Sequence, residues 1–268
     1  MNSSKFSILS LIGLKKKHLQ LLRLLVGREL TLRYKRSVLG IGWTLLNPML
    51  TSLILWLVFS FLFAGKLQSG QQFAPYLMAG VLLNTFFHQG LMQSASSIAN
   101  NASILTKVAV PPRIFTFAAS LAAFLNFSIG LIPLAIVVYI SGQKLSIFAP
   151  IALITGFFLA LLISGLGLML SILYIRFDDS KNIVNVLLLI LMYLTPVFYP
   201  IAILNEKMQR IVTLNPLTSY LDIFRWSFSN NAIATWKDFI FLAVTAVVAF
   251  IFGNKVFKRF WPRTAAML

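Results

Sequence analysis

A cluster of basic side chains stands just before the first long apolar stretch of the chain. Residues 28–36, RELTLRYKR, hold four cations and one carboxylate, and the sequence turns apolar a few positions later. Arginine binds phosphate oxygens through two parallel hydrogen bonds, whereas lysine offers a point charge. The cluster would suit an anionic ligand at a membrane surface. The simpler interpretation is that it binds anionic lipid and sets the topology of the chain.

The sequence offers few residues for catalysis. It has six carboxylates, two histidines and no cysteine, which excludes thiolate catalysis and cysteine-based metal sites. It lacks the Gly-rich loop ending in Gly-Lys-Ser/Thr that binds nucleotide phosphates. Asp178 and Asp179 form the only close carboxylate pair, whereas metal-dependent sites for phosphate esters use several carboxylates. We therefore predict no catalytic residue, no metal and no cofactor in this chain.

The composition is that of an integral membrane protein. Of the 268 residues, 59% are hydrophobic and 11% are charged, whereas soluble domains carry about 25% charged residues. Six apolar stretches approach the length of a membrane span, which is about 20 residues. Lipid offers the backbone no hydrogen-bond partner, so each stretch is expected to be a helix. The predicted spans cover residues 43–64, 73–92, 114–140, 147–175, 183–199 and 239–257.

The distribution of basic residues predicts the topology. With the N-terminus inside, seventeen Lys and Arg fall on the inner side and six on the outer side. Inner loops are enriched in these residues, so both termini are expected in the cytoplasm. The chain 1–268 is then one transmembrane domain, and it has no soluble part that could present the charge to nucleic acid. Its predicted segments are an interface helix at 10–40, a six-span bundle at 43–257 and a cytoplasmic tail at 258–268.

The region before the first span has the spacing of an amphipathic helix. Glu29 and Arg33 form an i, i+4 pair of favourable order. We predict a helix along the cytoplasmic membrane surface, which either anchors the chain to lipid or also binds a partner or an anionic ligand. Gly40 and Gly42 should allow the chain to bend after this helix into the span that begins at Trp43. The polar stripe of the helix recurs every three or four residues: Lys16, Gln20, Arg23, Gly27, Thr31 and Tyr34.

The predicted spans contain no Asp or Glu, whereas ion-coupled carriers place ionisable groups there. If the chain transports a substrate, another subunit must supply the energy. One polar patch, made by Asn84, His88 and Gln89, lies on the second span. It either forms hydrogen bonds between helices or contacts a substrate.

The second inner connection is the segment SSIANNASILTKVAVPPRIF. Asn100 and Asn101 either interrupt the second span or cap a new helix. The proline pair 111–112 must end the short segment that follows. A short helix between two spans, with Lys107 exposed, could press on another protein. The alternative is an ordinary connecting loop.

The connection between the last two spans, residues 195–228, is too apolar for a free loop, and its prolines prevent one straight helix. We predict two short helices that dip into the outer leaflet. Asn215 should cap the second, with Pro216 in its first turn, and Arg225 should pair with Asp222. Such backbone is tolerated only where protein or water covers it, which indicates an outer gate.

The segment RELTLRYKRSVLGIGWTLLNP resembles the N-terminal signature of the membrane subunits of type-2 ABC exporters that move polysaccharides. NNASILTKVAVPPRI resembles the next motif of that family, departing from it at Val110, where an aromatic is common, and in its doubled proline. TPVFYP and LNPLTSYLDIFR resemble its outer gate. The N-terminal signature matches at every fixed position: Arg28, Leu30, Arg33, Tyr34, Lys35, Ser37, Leu39, Gly40, Trp43, Leu46 and Pro48.

The resemblance implies an all-α permease that acts as a homodimer with two separate ABC ATPase subunits, which bind ATP and Mg²⁺. Its substrate would be a polysaccharide linked to undecaprenyl diphosphate, moved across the bacterial cytoplasmic membrane through a channel lined partly by aromatics. The implied uptake site, which binds the diphosphate, comprises Arg28, Arg33, Tyr34, Lys35, Arg36 and Trp43. The residues implied in ATPase coupling are Asn100, Asn101, Leu105, Lys107, Pro111, Pro112, Arg176 and Asp178. The implied outer gate comprises Pro196, Tyr199, Pro200, Asn215, Pro216 and Arg225.

Several functions stay open at this point. Within the family, O-antigen export is preferred over export of capsular polysaccharide, teichoic acid or a small molecule or lipid. Outside it, a lipid scramblase or channel would need no ATPase. A transferase acting on polyprenyl phosphates would need clustered carboxylates, which the sequence lacks.

Overall fold

The computed structural model describes residues 16–34, 37–40, 42–63, 72–108, 110–228 and 235–267. Within these residues the chain forms ten α-helices, two short 3₁₀ turns (Ile201–Ile203 and Ala265–Met267) and no strand, which confirms the predicted all-α class. The helices are α1 Lys16–Tyr34, α2 Gly42–Phe63, α3 Phe73–Asn100, α4 Ala102–Leu105, α5 Arg113–Ile140, α6 Ile151–Arg176, α7 Ser180–Leu194, α8 Glu206–Leu214, α9 Pro216–Phe228 and α10 Trp236–Thr264.

Three stretches of helix in the described residues are long and apolar enough to cross a membrane: Arg113–Ile140, Ile151–Arg176 and Trp236–Met267. The helix α7 has 15 residues, fewer than the roughly 20 that a span needs, because it ends at Leu194 instead of continuing to Tyr199. The helix α3, with 28 residues, is long enough to cross a membrane. Its polar side chains lower its mean hydropathy, so it is not among the three. The six-span count therefore stays a prediction.

The helix α3 lies at the centre of the bundle and packs against α2, α5, α6 and α9. Leu77, Ala95 and Ile98 on α3 are fully buried. Because other helices surround it, α3 can carry polar side chains that would be costly against lipid.

The helices α6 and α10 approach each other at Gly165 and Gly253. A Cβ added to either glycine would collide with the backbone of the facing helix. Small residues commonly allow membrane helices to pack this closely. The helix α10 also continues through residues 258–264, which the sequence assigned to a tail.

Side-chain caps define the two helices before α10. Asn215 Oδ1 accepts a hydrogen bond from the backbone N–H of Leu217 at 3.0 Å, and Pro216 is the first residue of α9, which confirms the predicted cap. Asn205 caps α8 in the same way, accepting from the N–H of Met208 at 2.9 Å. The helix α8 is not predicted from the sequence.

A sharp turn leads into α2. Gly40 has a φ of +49°, a conformation that glycine adopts without steric cost. Its N–H donates to the hydroxyl of Ser37 at 3.2 Å. This turn confirms the bend that the sequence predicts just before Trp43.

One end of the bundle gathers helix ends that are far apart in sequence. Leu25 of α1, Ile98 of α3, Ile172 of α6 and Phe257 of α10 belong to one buried hydrophobic cluster, which we call the basal cluster. The helix α1, the 101–112 connection and the turn after α6 therefore lie at the same end of the molecule, as the predicted topology requires.

Candidate functional site

Arg28 links two segments for which the sequence predicts different tasks. Its Nη1 donates a hydrogen bond to Oδ1 of Asn101, 73 residues away. Asn101 is buried, and its Nδ2 donates to the carbonyl of Ser97 at 2.8 Å. One predicted diphosphate ligand thus holds α1 against the junction of α3 and α4.

The other residues of the predicted uptake site lie along the end of α1 and the start of α2. Arg33 and Tyr34 form the last turn of α1, and Lys35 and Arg36 lie outside the described residues. Trp43 is in the first turn of α2, with 47% of its surface exposed. Diphosphate binding by this set stays a prediction.

The predicted coupling segment contains a single helical turn, α4, between the ends of α3 and α5. The carbonyl of Asn101 accepts hydrogen bonds from the N–H groups of Ile104 and Leu105, at 3.0 and 3.2 Å. Asn101 therefore terminates α3 and also begins α4, which combines the two alternatives left open by the sequence. Leu105 packs against the basal cluster, and this contact fixes the position of α4.

Exposed polar and charged side chains lie at the same end of the molecule as this turn. Asn100 and Lys107 are exposed on the segment itself, and Arg176 and Asp178 are exposed at the end of α6 and in the turn after it. The prolines 111–112 are half-buried and precede the first residue of α5. The apolar side of this segment packs on the basal cluster, and the charged side chains are exposed. Such a surface suits contact with a second protein.

A further tie at this end is not predicted from the sequence. Arg113 Nη1 donates to Oδ1 of Asn254 on α10 at 3.1 Å, and the Nδ2 of Asn254 donates to the carbonyl of Phe250 at 3.1 Å. The start of α5 is thereby fixed to α10. The only sign of this contact in the sequence is the amide of Asn254, which stands within the last apolar span.

Arg225 organises the predicted outer gate. Its Nε, Nη1 and Nη2 donate to the backbone carbonyls of Tyr76, Pro196 and Val197 at 3.2, 2.8 and 2.8 Å. Its Cζ lies 3.5 Å from the centroid of the Tyr76 ring, a cation–π contact. Arg225 is 7% exposed. The cation is therefore satisfied by backbone oxygens and an aromatic face, and the sequence expectation that it pairs with Asp222, which is exposed, is wrong.

Tyr76 and Gly80 on α3 complete this site, and neither is predicted from the sequence. The hydroxyl of Tyr76 donates to the carbonyl of Tyr199 at 2.9 Å. A Cβ on Gly80 would lie 2.7 Å from Arg225 Nη2 and from the carbonyl oxygen of Val197. Glycine at this position leaves room for the guanidinium to reach the 196–199 segment.

The remaining predicted gate residues have structural roles beside Arg225. Asn215 Nδ2 donates to the hydroxyl of Thr195 at 2.9 Å, which ties the start of α9 to the end of α7. Pro200 is buried and precedes the 3₁₀ turn, whereas Pro216 is exposed. The structure thus gathers Pro196, Tyr199 and Arg225 around Tyr76. Gating stays a prediction.

Comparison with known proteins identifies the family. The profile of the ABC-2 type transporter family matches residues 20–229. The chain belongs to this family.

Individual ABC-2 relatives resemble it over most of their length. The chain is 29% identical, over 87% of its length and 90% of the relative, to the O-antigen export system permease protein RfbA of Myxococcus xanthus. It is 26% identical, over 92% of its length and 95% of the relative, to the RfbA of Klebsiella pneumoniae. It is also 25% identical, over 88% of its length and 89% of the relative, to the capsule polysaccharide export inner-membrane protein BexB of Haemophilus influenzae.

The ABC-2 match contains all three predicted sites. Residues 20–229 include most of α1 and the whole of α2 to α9. The Arg28–Asn101 link and the Arg225 contacts therefore lie inside the region that carries the family relationship, whereas α10 follows it.

Proposed function

We propose that this ABC-2 permease exports undecaprenyl-diphosphate-linked polysaccharide across the bacterial cytoplasmic membrane, and that the polysaccharide is O-antigen, as the names of its relatives indicate. The observation that carries the proposal is the similarity, over about nine-tenths of both chains, to permeases named for O-antigen export. Capsular polysaccharide is the second candidate substrate, because the similarity extends to a capsule export protein.

The energy would come from a separate subunit. In this proposal two copies of the chain pair with two ABC ATPase subunits, which bind ATP and Mg²⁺, and the permease hydrolyses nothing itself. The turn α4 and the exposed Lys107, Arg176 and Asp178 would receive the movement of the ATPase. Because Leu105 packs into the basal cluster, a push on α4 would reach α1, α3 and α6.

The proposed arrangement in the membrane follows from the charges. Both termini and the α4 end would face the cytoplasm, in keeping with the excess of basic residues on that side. The 3₁₀ turn Ile201–Ile203 and α9 match the two re-entrant helices predicted around residues 200–203 and 216–228. They would lie at the outer surface, covered by the rest of the protein. Six spans per chain would then enclose the path of the polymer at the contact between two copies.

Deletion of the gene tests the proposal. Polysaccharide at the cell surface should disappear, and undecaprenyl-linked glycan should accumulate inside, until a plasmid copy restores export. Immunoblots for O-antigen and for capsule identify which polymer depends on the chain. Unchanged amounts of both at the surface would overturn the proposal.

A further inference from the structure

A cavity opens between α2, α3 and α5, beside the turn that joins α1 to α2. Its volume is about 290 Å³, near the lower end of the roughly 300–1,000 Å³ of ligand pockets. Among the described residues that line it, none is ionisable. Its wall includes three carboxamide side chains and three aromatic rings, those of Asn47, Gln89, Gln93, Trp43, Phe86 and Phe127.

Four amides line this cavity; one of them, Asn126, is engaged elsewhere, and the other three have no partner in the described part of the chain. The side chains of Asn47, Gln89 and Gln93 line the cavity, and none of them forms a hydrogen bond with a described residue. Gln89 and Gln93 are four residues apart on α3, so they lie on the same helix face. Gln89 and Gln93 are half-buried and Asn47 is exposed. Their donors and acceptors are available to whatever occupies the cavity.

Aromatic rings form another part of the wall. Phe86 and Phe127 stack with their centroids 4.7 Å apart and their planes at 22°, and the half-exposed Trp43 stands at the α2 side. A pyranose ring has apolar C–H faces, which pack on aromatic rings, and hydroxyl groups at its edge. Carboxamides match those hydroxyls because each amide both donates and accepts.

We propose that this cavity binds one uncharged sugar unit of the transported glycan. The inference rests on the proposed function and names the class of sugar that the permease takes. A uronic acid is disfavoured, because its carboxylate would be desolvated and the described lining residues include no cation. Ser37 and Trp43 line the cavity and follow the basic run at 28–36, so the bound sugar would be one of those next to the diphosphate.

Thiol protection tests the binding directly. The chain has no native cysteine, so Thr85→Cys places a single thiol in the cavity wall, beside Gln89. The variant is reconstituted in nanodiscs with its ATPase and labelled with an uncharged maleimide. Chitobiose or maltose, as neutral disaccharides, should slow labelling by 1 + [L]/Kd, about threefold at twice Kd. Digalacturonate and undecaprenyl diphosphate without sugar should not slow it.

Each result of the labelling experiment bears on the proposal. No protection by either neutral disaccharide would overturn the sugar site. Equal protection by digalacturonate would overturn the assignment of a neutral sugar. Protection by undecaprenyl diphosphate alone would mean that the cavity binds lipid, and this result would also overturn the proposal.

Export provides a second test. Gln89→Met with Gln93→Met keeps side-chain size but removes the hydrogen-bonding groups, and surface glycan should fall about tenfold, as expected for losing one or two net hydrogen bonds. The matched control is Gln209→Met, which makes the same change to an amide on α8 that does not line this cavity. Its export should match that of the wild type. Both variants must copurify with the ATPase; if the double variant does not, the labelling result decides.

The tests separate this inference from the proposed function. If the wild-type chain exports no polysaccharide, the proposed function fails. If the wild type exports polysaccharide, and an assembled double variant exports as much, the sugar site alone is wrong.

Discussion

At the scale of single residues, the end of the molecule that holds the predicted outer gate depends on Arg225. A buried cation is costly unless its donors are paired, and here three backbone carbonyls and the Tyr76 ring surround the guanidinium. These contacts hold the 196–197 backbone against α3. The same backbone oxygens would be left unsatisfied if the arginine were removed.

Substituting Arg225 tests this role. Arg225→Lys keeps the charge but replaces a planar fork by one ammonium group. We expect a loss of about 2 kcal/mol or more in stability, measured as a lower thermal unfolding midpoint of the purified complex. Gly80→Ala should have the same effect, because its Cβ would meet Nη2 of Arg225 at 2.7 Å. The control is Arg210→Lys on the exposed side of α8. Equal midpoints for Arg225→Lys and the control would contradict the account.

The basic run gives a second prediction for single residues. Replacing Arg33 and Lys35 by Ala should abolish polysaccharide at the cell surface while the complex still assembles, because the diphosphate would lose its cations. Surface glycan and copurification of the ATPase are the two measurements. Replacing Lys255 and Lys258, two exposed basic residues of α10, provides the control. Normal export by the double Ala variant would leave the basic run with a topological role only.

At the scale of elements, the contact between α1 and the α3–α4 junction is the most informative finding. A hydrogen bond between Arg28 and Asn101 joins a predicted substrate-binding helix to a predicted ATPase contact. Leu25 and Val26 of α1 pack in the basal cluster, together with the end of α3 and the start of α5. Binding at α1 and movement of α4 should therefore be coupled.

A double-mutant cycle measures that coupling. Arg28→Met and Asn101→Leu should each lower glycan-stimulated ATP hydrolysis several-fold, and the double variant should be no worse than either single variant, because all three lose the same contact. ATP hydrolysis by the reconstituted complex is measured with and without lipid-linked glycan. Additive losses would show that the two residues act independently.

The exposed Lys107, two residues after the end of α4, gives another prediction at this scale. Lys107→Glu should uncouple ATP hydrolysis from export or separate the ATPase from the permease, because it reverses an exposed charge on the proposed contact. Lys144→Glu, an exposed lysine in the connection after α5, is the control and should bind the ATPase normally. Unchanged binding and unchanged coupled hydrolysis in Lys107→Glu would exclude this contact.

The sequence predicts local features of these elements better than their long-range contacts. The Asn215 cap, the bend at Gly40 and the break at Asn101 follow from nearest-neighbour chemistry, and the structure has all three. Arg225 binds the carbonyls of Pro196 and Val197, which precede it by 29 and 28 positions and lie in an irregular segment. Every residue has a backbone carbonyl, so the sequence does not indicate which ones the arginine binds. The sequence predicts Asp222 as the partner because it lies within one helical turn of Arg225. In the structure Asp222 is exposed, whereas Arg225 is buried.

At the scale of the whole molecule, the chain combines apolar helices with a polar central helix. Composition and motif order predict an all-α membrane protein of the ABC-2 family, and both predictions are confirmed. Hydropathy alone identifies three spanning helices in the described residues, because α3 carries its polar groups toward other helices and α7 stops early. The cavity beside α3 forms where three helices meet. The sequence therefore singled out Trp43 in the uptake site and Gln89 in the polar patch, but it did not bring them together.

The central claim is that ATP hydrolysis by a partner drives glycan through this permease. The decisive measurement reconstitutes the chain with its copurified ATPase in proteoliposomes and follows labelled undecaprenyl-diphosphate-linked glycan. The account predicts translocation that requires ATP and the partner, with no ATP hydrolysis by the chain alone. Translocation without nucleotide, or hydrolysis by the pure permease, would contradict it.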